Sequence, residues 1–109
     1  MLEESPFSLD ILPSAMMDIV RTQYFYDSLE RGLGSVFRDY IVGEVDKLVD
    51  DAGVDEKRLG YFFRPEKRFH QAIYYKMAGT TVTVWRILDM RFDPQRIFAA
   101  LRETSGERF

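Results

Sequence analysis

One stretch, from Arg68 to Pro94, sets most of what this chain can become. It reads RFHQAIYYKMAGTTVTVWRILDMRFDP and holds two apolar, β-branched and aromatic runs, Ile73-Tyr74-Tyr75 and Val82 to Leu88. Between them stand Ala78, Gly79 and Thr80. Glycine accepts positive φ without steric cost, so two strand-like runs joined this closely read as an antiparallel hairpin. Strict alternation puts Val82, Val84 and Leu88 on one face of the second run and Trp85 and Ile87 on the other. A strand that is apolar on both faces is normally covered on both, so the hairpin is expected at the heart of a sheet.

The flanking segments read as its cover. Phe7 to Ile11 alternates apolar and polar residues, an edge-strand signal. Pro13 suits the first turn of a helix, where its missing N–H costs nothing. From Ser14 to about Arg31 the residues Met16, Ile19, Val20, Gln23, Tyr24 and Asp27 keep helical spacing, and Tyr24-Phe25-Tyr26 is expected in the core. Gly32-Leu33-Gly34-Ser35 breaks this helix, with Ser35 as the expected N-cap of the next. Val36, Phe37, Tyr40, Ile41, Val45, Leu48, Val49 and Ala52 then repeat at i, i+3, i+4, the clearest amphipathic pattern in the chain. Gly53 closes that helix, with Asp50 and Asp51 at the unfavourable end of its dipole. Two helices joined so briefly should form an antiparallel pair.

A polar linker from Val54 to Leu59 leads to a third strand, Gly60 to Arg64, and Pro65-Glu66-Lys67 turns the chain into the hairpin. After it, Asp93-Pro94 reads as N-cap and first helical residue, with Ile97, Phe98 and Leu101 on one face of a short closing helix. The tail from Thr104 to Phe109 is expected to be loose. The sum is an α+β domain over residues 1–109, a small antiparallel sheet with an N-terminal helical hairpin packed on one face and a short C-terminal helix.

Composition removes several chemistries. Cysteine is absent and His70 is the lone histidine, which excludes disulfides, thiolate metal sites, cysteine nucleophiles and paired imidazoles. The aspartates Asp46, Asp50 and Asp51 read as a solvated helix end rather than a metal site, so no metal and no cofactor is expected. No apolar run approaches the roughly 18 residues of a membrane span. The start, Met1-Leu2-Glu3-Glu4, is acidic where a signal peptide is basic, so a cytoplasmic location is expected. Charge is uneven: twelve acids face four bases up to Asp55, and six acids face eleven bases beyond it. The basic half suits an acidic partner or phosphate.

The order and spacing of several pieces resemble a known family. Tyr24-Phe25-Tyr26, Gly32-Leu33-Gly34 and Phe37 are similar to the N-terminal half of the RelE/ParE toxin superfamily, the plasmid stabilisation system proteins. Arg68-Phe69, Ala72-Ile73-Tyr74-Tyr75, Gly79, Val82-Thr83-Val84 and Asp93-Pro94 resemble its C-terminal half, with the ParE-like branch nearest. The resemblance spans roughly residues 7–103 and implies the fold read above. It implies the toxin of a bacterial type II toxin–antitoxin module, inhibiting a macromolecular target and neutralised by a cognate antitoxin that wraps it. For ParE-like members the target is DNA gyrase. RelE-like members are endonucleases that cut messenger RNA on the ribosome, and a degenerate member would keep only the antitoxin contact. A homodimer is compatible with each reading. Where many members carry a histidine and a later arginine ahead of the Asp-Pro pair, this chain has Asp89 and Phe92, with Arg91 one residue away. A one-residue shift on a strand reverses the face, unless a bulge re-aims it.

RNA cleavage through the 2′-hydroxyl requires a base, a donor to the leaving oxygen and cations around the phosphorane-like transition state. For a RelE-like reaction the candidates are Lys67, Arg68, Lys76 and Arg91, with Tyr75 or Tyr74 as donor. For antitoxin or target binding they are Arg64, Lys67, Arg68, Arg91 and Arg96. Arg68 has a structural alternative, pairing with Glu66, and His70 reads as a polar strand residue.

Overall fold

The computed structural model of the chain describes residues 5–107, so the acidic start at Met1 to Glu4 and the last two positions of the expected tail lie outside the described residues. Its elements, in order, are β1 (Ser8–Ile11), α1 (Pro13–Leu29), α2 (Leu33–Asp46), α3 (Leu48–Asp51), β2 (Lys57–Arg58), β3 (Tyr61–Pro65), β4 (Gln71–Ala78), β5 (Thr81–Asp89) and α4 (Pro94–Glu107). The β4–β5 hairpin forms as expected, with Ala78 opposite Thr81 and Gly79 at φ +59° in the two-residue turn. The five strands run β1-β5-β4-β3-β2, antiparallel except for β1, which lies parallel to β5.

A bulge corrects the facing of β5. Tyr75 pairs with Val84 but Tyr74 pairs with Arg86, so Trp85 is the extra residue. From there alternation shifts by one. Val82, Val84 and Ile87 face the α1–α2 side, while Trp85 and Leu88 face α4. Ile87 and Leu88 therefore exchange the faces that strict alternation gave them, as a bulge requires.

Helices cover both faces of the sheet. On one side Ile19 of α1, Phe37, Ile41 and Val45 of α2 and Leu48 of α3 pack on Ile73, Tyr75, Val82, Val84 and Ile87. On the other, Ile97 and Leu101 of α4 pack on Tyr61, Phe63, Ala72, Tyr74, Trp85 and Leu88. Each fully buried aliphatic side chain contributes roughly 1.5–3 kcal/mol to folding, so both layers matter. The α1–α2 pair is drawn tight at Gly34, where a Cβ would stand 2.3 Å from the Gln23 carbonyl oxygen. Gly34, not Ser35, makes the decisive contact at this turn: its N–H donates to Asp27 Oδ1 at 2.7 Å, and α2 already begins at Leu33.

Three further expectations change. Of the three consecutive aromatics only Tyr26 enters the core, against Phe37 and Phe69, whereas Tyr24 is 73% and Phe25 54% exposed. Neighbouring helical residues point about 100° apart, so three in a row cannot share one face. The polar linker contains a two-residue strand, β2, paired with β3. The tail is helical through Glu107, and Thr104 is fully buried, its hydroxyl accepting from Arg86 Nη1 at 3.2 Å. The α4 start follows the sequence, with Asp93 Oδ1 accepting from Gln95 N–H at 2.8 Å. No helix among the described residues is long and apolar enough to cross a membrane.

Candidate functional site

Because β1 ends at Ile11, the outer edge of β5 beyond Val84 has no strand beside it, and its backbone groups need other partners. The start of α1 supplies them. Leu12 N–H donates to the Val84 carbonyl at 3.0 Å, and Ser14 Oγ donates to the Trp85 carbonyl at 3.1 Å. The buried carboxylate of Asp18 accepts the Ile87 N–H at 2.9 Å. The same carboxylate takes both arms of the Arg86 guanidinium at 2.8 Å, and Arg86 continues to the Ala100 carbonyl of α4 at 3.0 Å. One aspartate and one arginine thus tie α1, β5 and α4 together.

Past this tie the three elements diverge and leave a cleft of about 390 Å³. Phe25 and Tyr26 of α1, Leu88 at the end of β5, Phe92 and Ala100 give it apolar walls. Arg21, Arg91 and Arg96 stand at its rim, with Arg86 deeper and Asp18 and Asp89 as the acids. Arg96 lies 3.7 Å from the centroid of the Phe92 ring. Arg91 folds back on Asp89, its Nε at 2.9 Å, its Nη2 at 2.6 Å and its backbone N–H at 2.8 Å from the carboxylate. The Asp89 carboxylate holds the Arg91 guanidinium above its ordinary pKa. Burial alone would raise the Asp89 carboxyl, but the Arg91 hydrogen bonds outweigh it and the net direction is down.

Both departures from the family pattern, Asp89 and Phe92, therefore line this cleft. β5 ends at Asp89, so Arg91 lies beyond the strand and the alternation argument does not govern it. It reaches the cleft from the turn in which Phe92 N–H donates to the Asp89 carbonyl at 3.1 Å.

The other candidates scatter. Lys67 and Arg68 sit exposed on the turn before β4. That turn adjoins the cleft through Phe69, whose ring packs on Tyr26. Arg68 does not pair with Glu66. Its guanidinium lies over Tyr40 at 5.2 Å, while the buried Glu66 carboxylate accepts the backbone N–H groups of Phe69 and Gln71. This clamp holds His70 in a left-handed conformation, φ +60°, so His70 is a turn residue rather than a strand residue.

Arg64 is elsewhere, paired with Asp51 at 2.8 Å and Asp55 at 2.9 Å. The bond to Asp51 answers part of the adverse charge at the end of α3. Tyr75 is fully buried, hydrogen-bonded to Asp55 and accepting the Gly53 N–H at 2.9 Å. Burial first, and the Asp55 bond second, push its pKa up to about 12. Tyr74 is buried on the opposite face against Phe63. Lys76 also lies on that face, 4.7 Å from the rings of Tyr61 and Trp85. The candidate base, acid and cations for RNA cleavage are thus divided among two faces of the sheet and its interior.

Arg21, Arg86 and Asp18 escaped the sequence reading. Asp18 and Arg86 carried a signal, a charge set among core-facing positions of a helix and inside an apolar strand. Arg21 follows Asp18 by three residues, a helical ion-pair spacing. Phe25 reads from the sequence as core, and the structure places it in the cleft wall instead.

No protein-family model and no curated protein matches the chain. Among solved structures it is similar to a chain of the chromosomal ParDE TA system from P. aeruginosa. The two are 19% identical, with a TM-score of 0.69 over 76% of this chain and 95% of that one. At that identity the likeness is one of architecture, and the fold is RelE/ParE-like, as the sequence motifs led us to expect.

Proposed function

We propose that this chain is the toxin half of a type II toxin–antitoxin module, of ParE-like character, acting by binding a macromolecular target and silenced by a cognate antitoxin. The observation that carries the reading is the ParE-like fold joined to an arginine-rimmed, apolar-walled cleft beside α1. Clefts with apolar walls and a few convergent polar groups are the usual seats of ligands and partner segments. DNA gyrase is the target this reading favours, and the cytoplasm is where such a target is met.

A binding mode is preferred over ribonuclease action because the candidate catalytic groups do not converge. Tyr75 is interior, Lys76 is on the α4 face, and Arg91 is occupied by Asp89. General acid–base catalysis requires its groups within hydrogen-bond reach of one reacting centre. The degenerate reading draws on one specific feature, the engagement of Arg64 and Arg91 by aspartates of the chain itself.

Purified chain tested in a DNA gyrase supercoiling assay, with ribosome-bound messenger RNA in parallel, separates these readings. Inhibited supercoiling with intact transcripts is the expected outcome. Transcript cleavage would replace the proposal with the RelE-like one, and inactivity in both would leave the degenerate one.

A further inference from the structure

The cleft carries four arginines against two carboxylates, on a chain whose net charge is −3. Two of these arginines serve the fold: Arg86 is buried against Asp18, Ala100 and Thr104, and Arg21 shares the Asp18 carboxylate at 2.9 Å. The other two face the opening. Arg96 is exposed and placed over Phe92, which orients its planar fork. Among the described residues no carboxylate forms an ion pair with Arg96. Arg91 is 59% exposed, and Asp89 takes two of its guanidinium donors, Nε and Nη2. Asp89 is a side chain of the protein making the contact that an incoming acid would make.

We propose that this cleft receives a carboxylate-bearing, apolar segment of the partner protein, anchored by Arg96 and Arg91, with Asp89 as an internal competitor that the partner's carboxylate displaces. The inference rests on reading the chain as one half of a two-protein module. The apolar walls accept an aliphatic or aromatic side chain of that segment, and the arginine rim accepts its acid. A peptide fits better than nucleic acid. The lining joins its arginines to apolar walls from Phe25, Phe92 and Ala100 and to two acids, Asp18 and Asp89, which suits a peptide side chain better than a phosphate chain. Displacement of Asp89 also gives selectivity, because only a ligand with its own acid can replace the lost pair.

Fluorescence anisotropy on the whole chain tests this. The probe is a fluorescein-labelled amphipathic peptide of Glu, Leu and Phe, with a Lys, Leu and Phe peptide and single-stranded oligouridylate as counter-probes. The acidic peptide should bind in preference to both. Asp89→Asn keeps an oxygen for the Arg91 backbone N–H but removes the competing charge. It should tighten binding about fivefold to tenfold, the effect of roughly one charge-assisted hydrogen bond. Arg96→Glu should weaken binding at least about tenfold, with Arg96→Gln as a milder second variant, and circular dichroism reporting on the fold.

No binding of the acidic peptide, tighter binding of oligouridylate, or unchanged or weaker binding in Asp89→Asn would each overturn the inference. Growth arrest on induction without peptide binding would remove the cleft assignment and keep the module. Peptide binding without growth arrest would do the reverse.

Discussion

Replacing Asp18 should be the most damaging single change in this protein. Its carboxylate is 5% exposed and accepts four bonds: two from Arg86 at 2.8 Å, one from the Ile87 N–H at 2.9 Å and one from Arg21 at 2.9 Å. The exposed Arg21 arm contributes little, within the roughly 0–1 kcal/mol of a surface pair. Truncation to alanine strands the Ile87 N–H and takes the counter-charge from an arginine only 9% exposed. Breaking a buried pair from one side costs about 3–5 kcal/mol, and an orphaned buried N–H costs a further ~1–3 kcal/mol. Set against a total stability of about 5–15 kcal/mol, Asp18→Ala should leave the domain marginal or unfolded. Asp18→Asn keeps an acceptor for Ile87 and should lose less. Combined with Arg86→Met it should recover part of the deficit, because the buried charge is then gone. Urea denaturation of wild type, Asp18→Asn, Arg86→Met and the double variant gives the cycle directly. A loss below about 1 kcal/mol in Asp18→Ala would refute the idea that this pair holds α1, β5 and α4 together.

Other changes should act in opposite or unexpected directions. Gly34→Ala ordinarily gains roughly 1 kcal/mol of helix propensity, but the 2.3 Å approach to Gln23 makes it a net loss of about 1–3 kcal/mol by thermal or urea unfolding. Glu66→Ala should free the Phe69 and Gln71 N–H groups, cost ~1–3 kcal/mol, and raise amide exchange through residues 66–71. Tyr75 has a folded pKa of about 12 against an ordinary 10.0, so its contribution is complete below pH 10 and is lost as pH rises through 12. The slope it adds is at most about 1.36 kcal/mol per pH unit. Tyr40, raised to about 12 by its bond to Glu44, titrates in the same window, so Tyr75→Phe should flatten alkaline unfolding without abolishing its pH dependence.

Periodicity and turn chemistry made the hairpin, α1, α2 and the Asp93-Pro94 start of α4 legible in advance. Those features are local. What was not legible depends on contacts between distant segments. The bulge at Trp85 leaves no compositional mark, yet it decides that Ile87 faces α1 and Leu88 faces α4. β2 is too short to show a period, and the parallel placement of β1 depends on how the chain returns to the sheet. Thr104 looked like a tail residue because its partner, Arg86, is eighteen positions away. Of the proposed site residues, the structure gathers Arg91 and Arg96 at the cleft, with Lys67 and Arg68 on the adjoining turn. It commits Arg64 and Tyr75 to the α3 end of the core. A sequence shows that a residue is basic or aromatic, but not whether an aspartate from another element has already engaged it.

The most direct test of the account is viable count after tightly controlled induction in a bacterial host, with this chain alone and with the neighbouring gene co-expressed. Loss of viability alone, a DNA-damage response with intact transcripts, and rescue by the neighbour are the predicted results. Normal growth with soluble, folded chain, or killing that the neighbour does not relieve, would contradict a toxin held by its antitoxin.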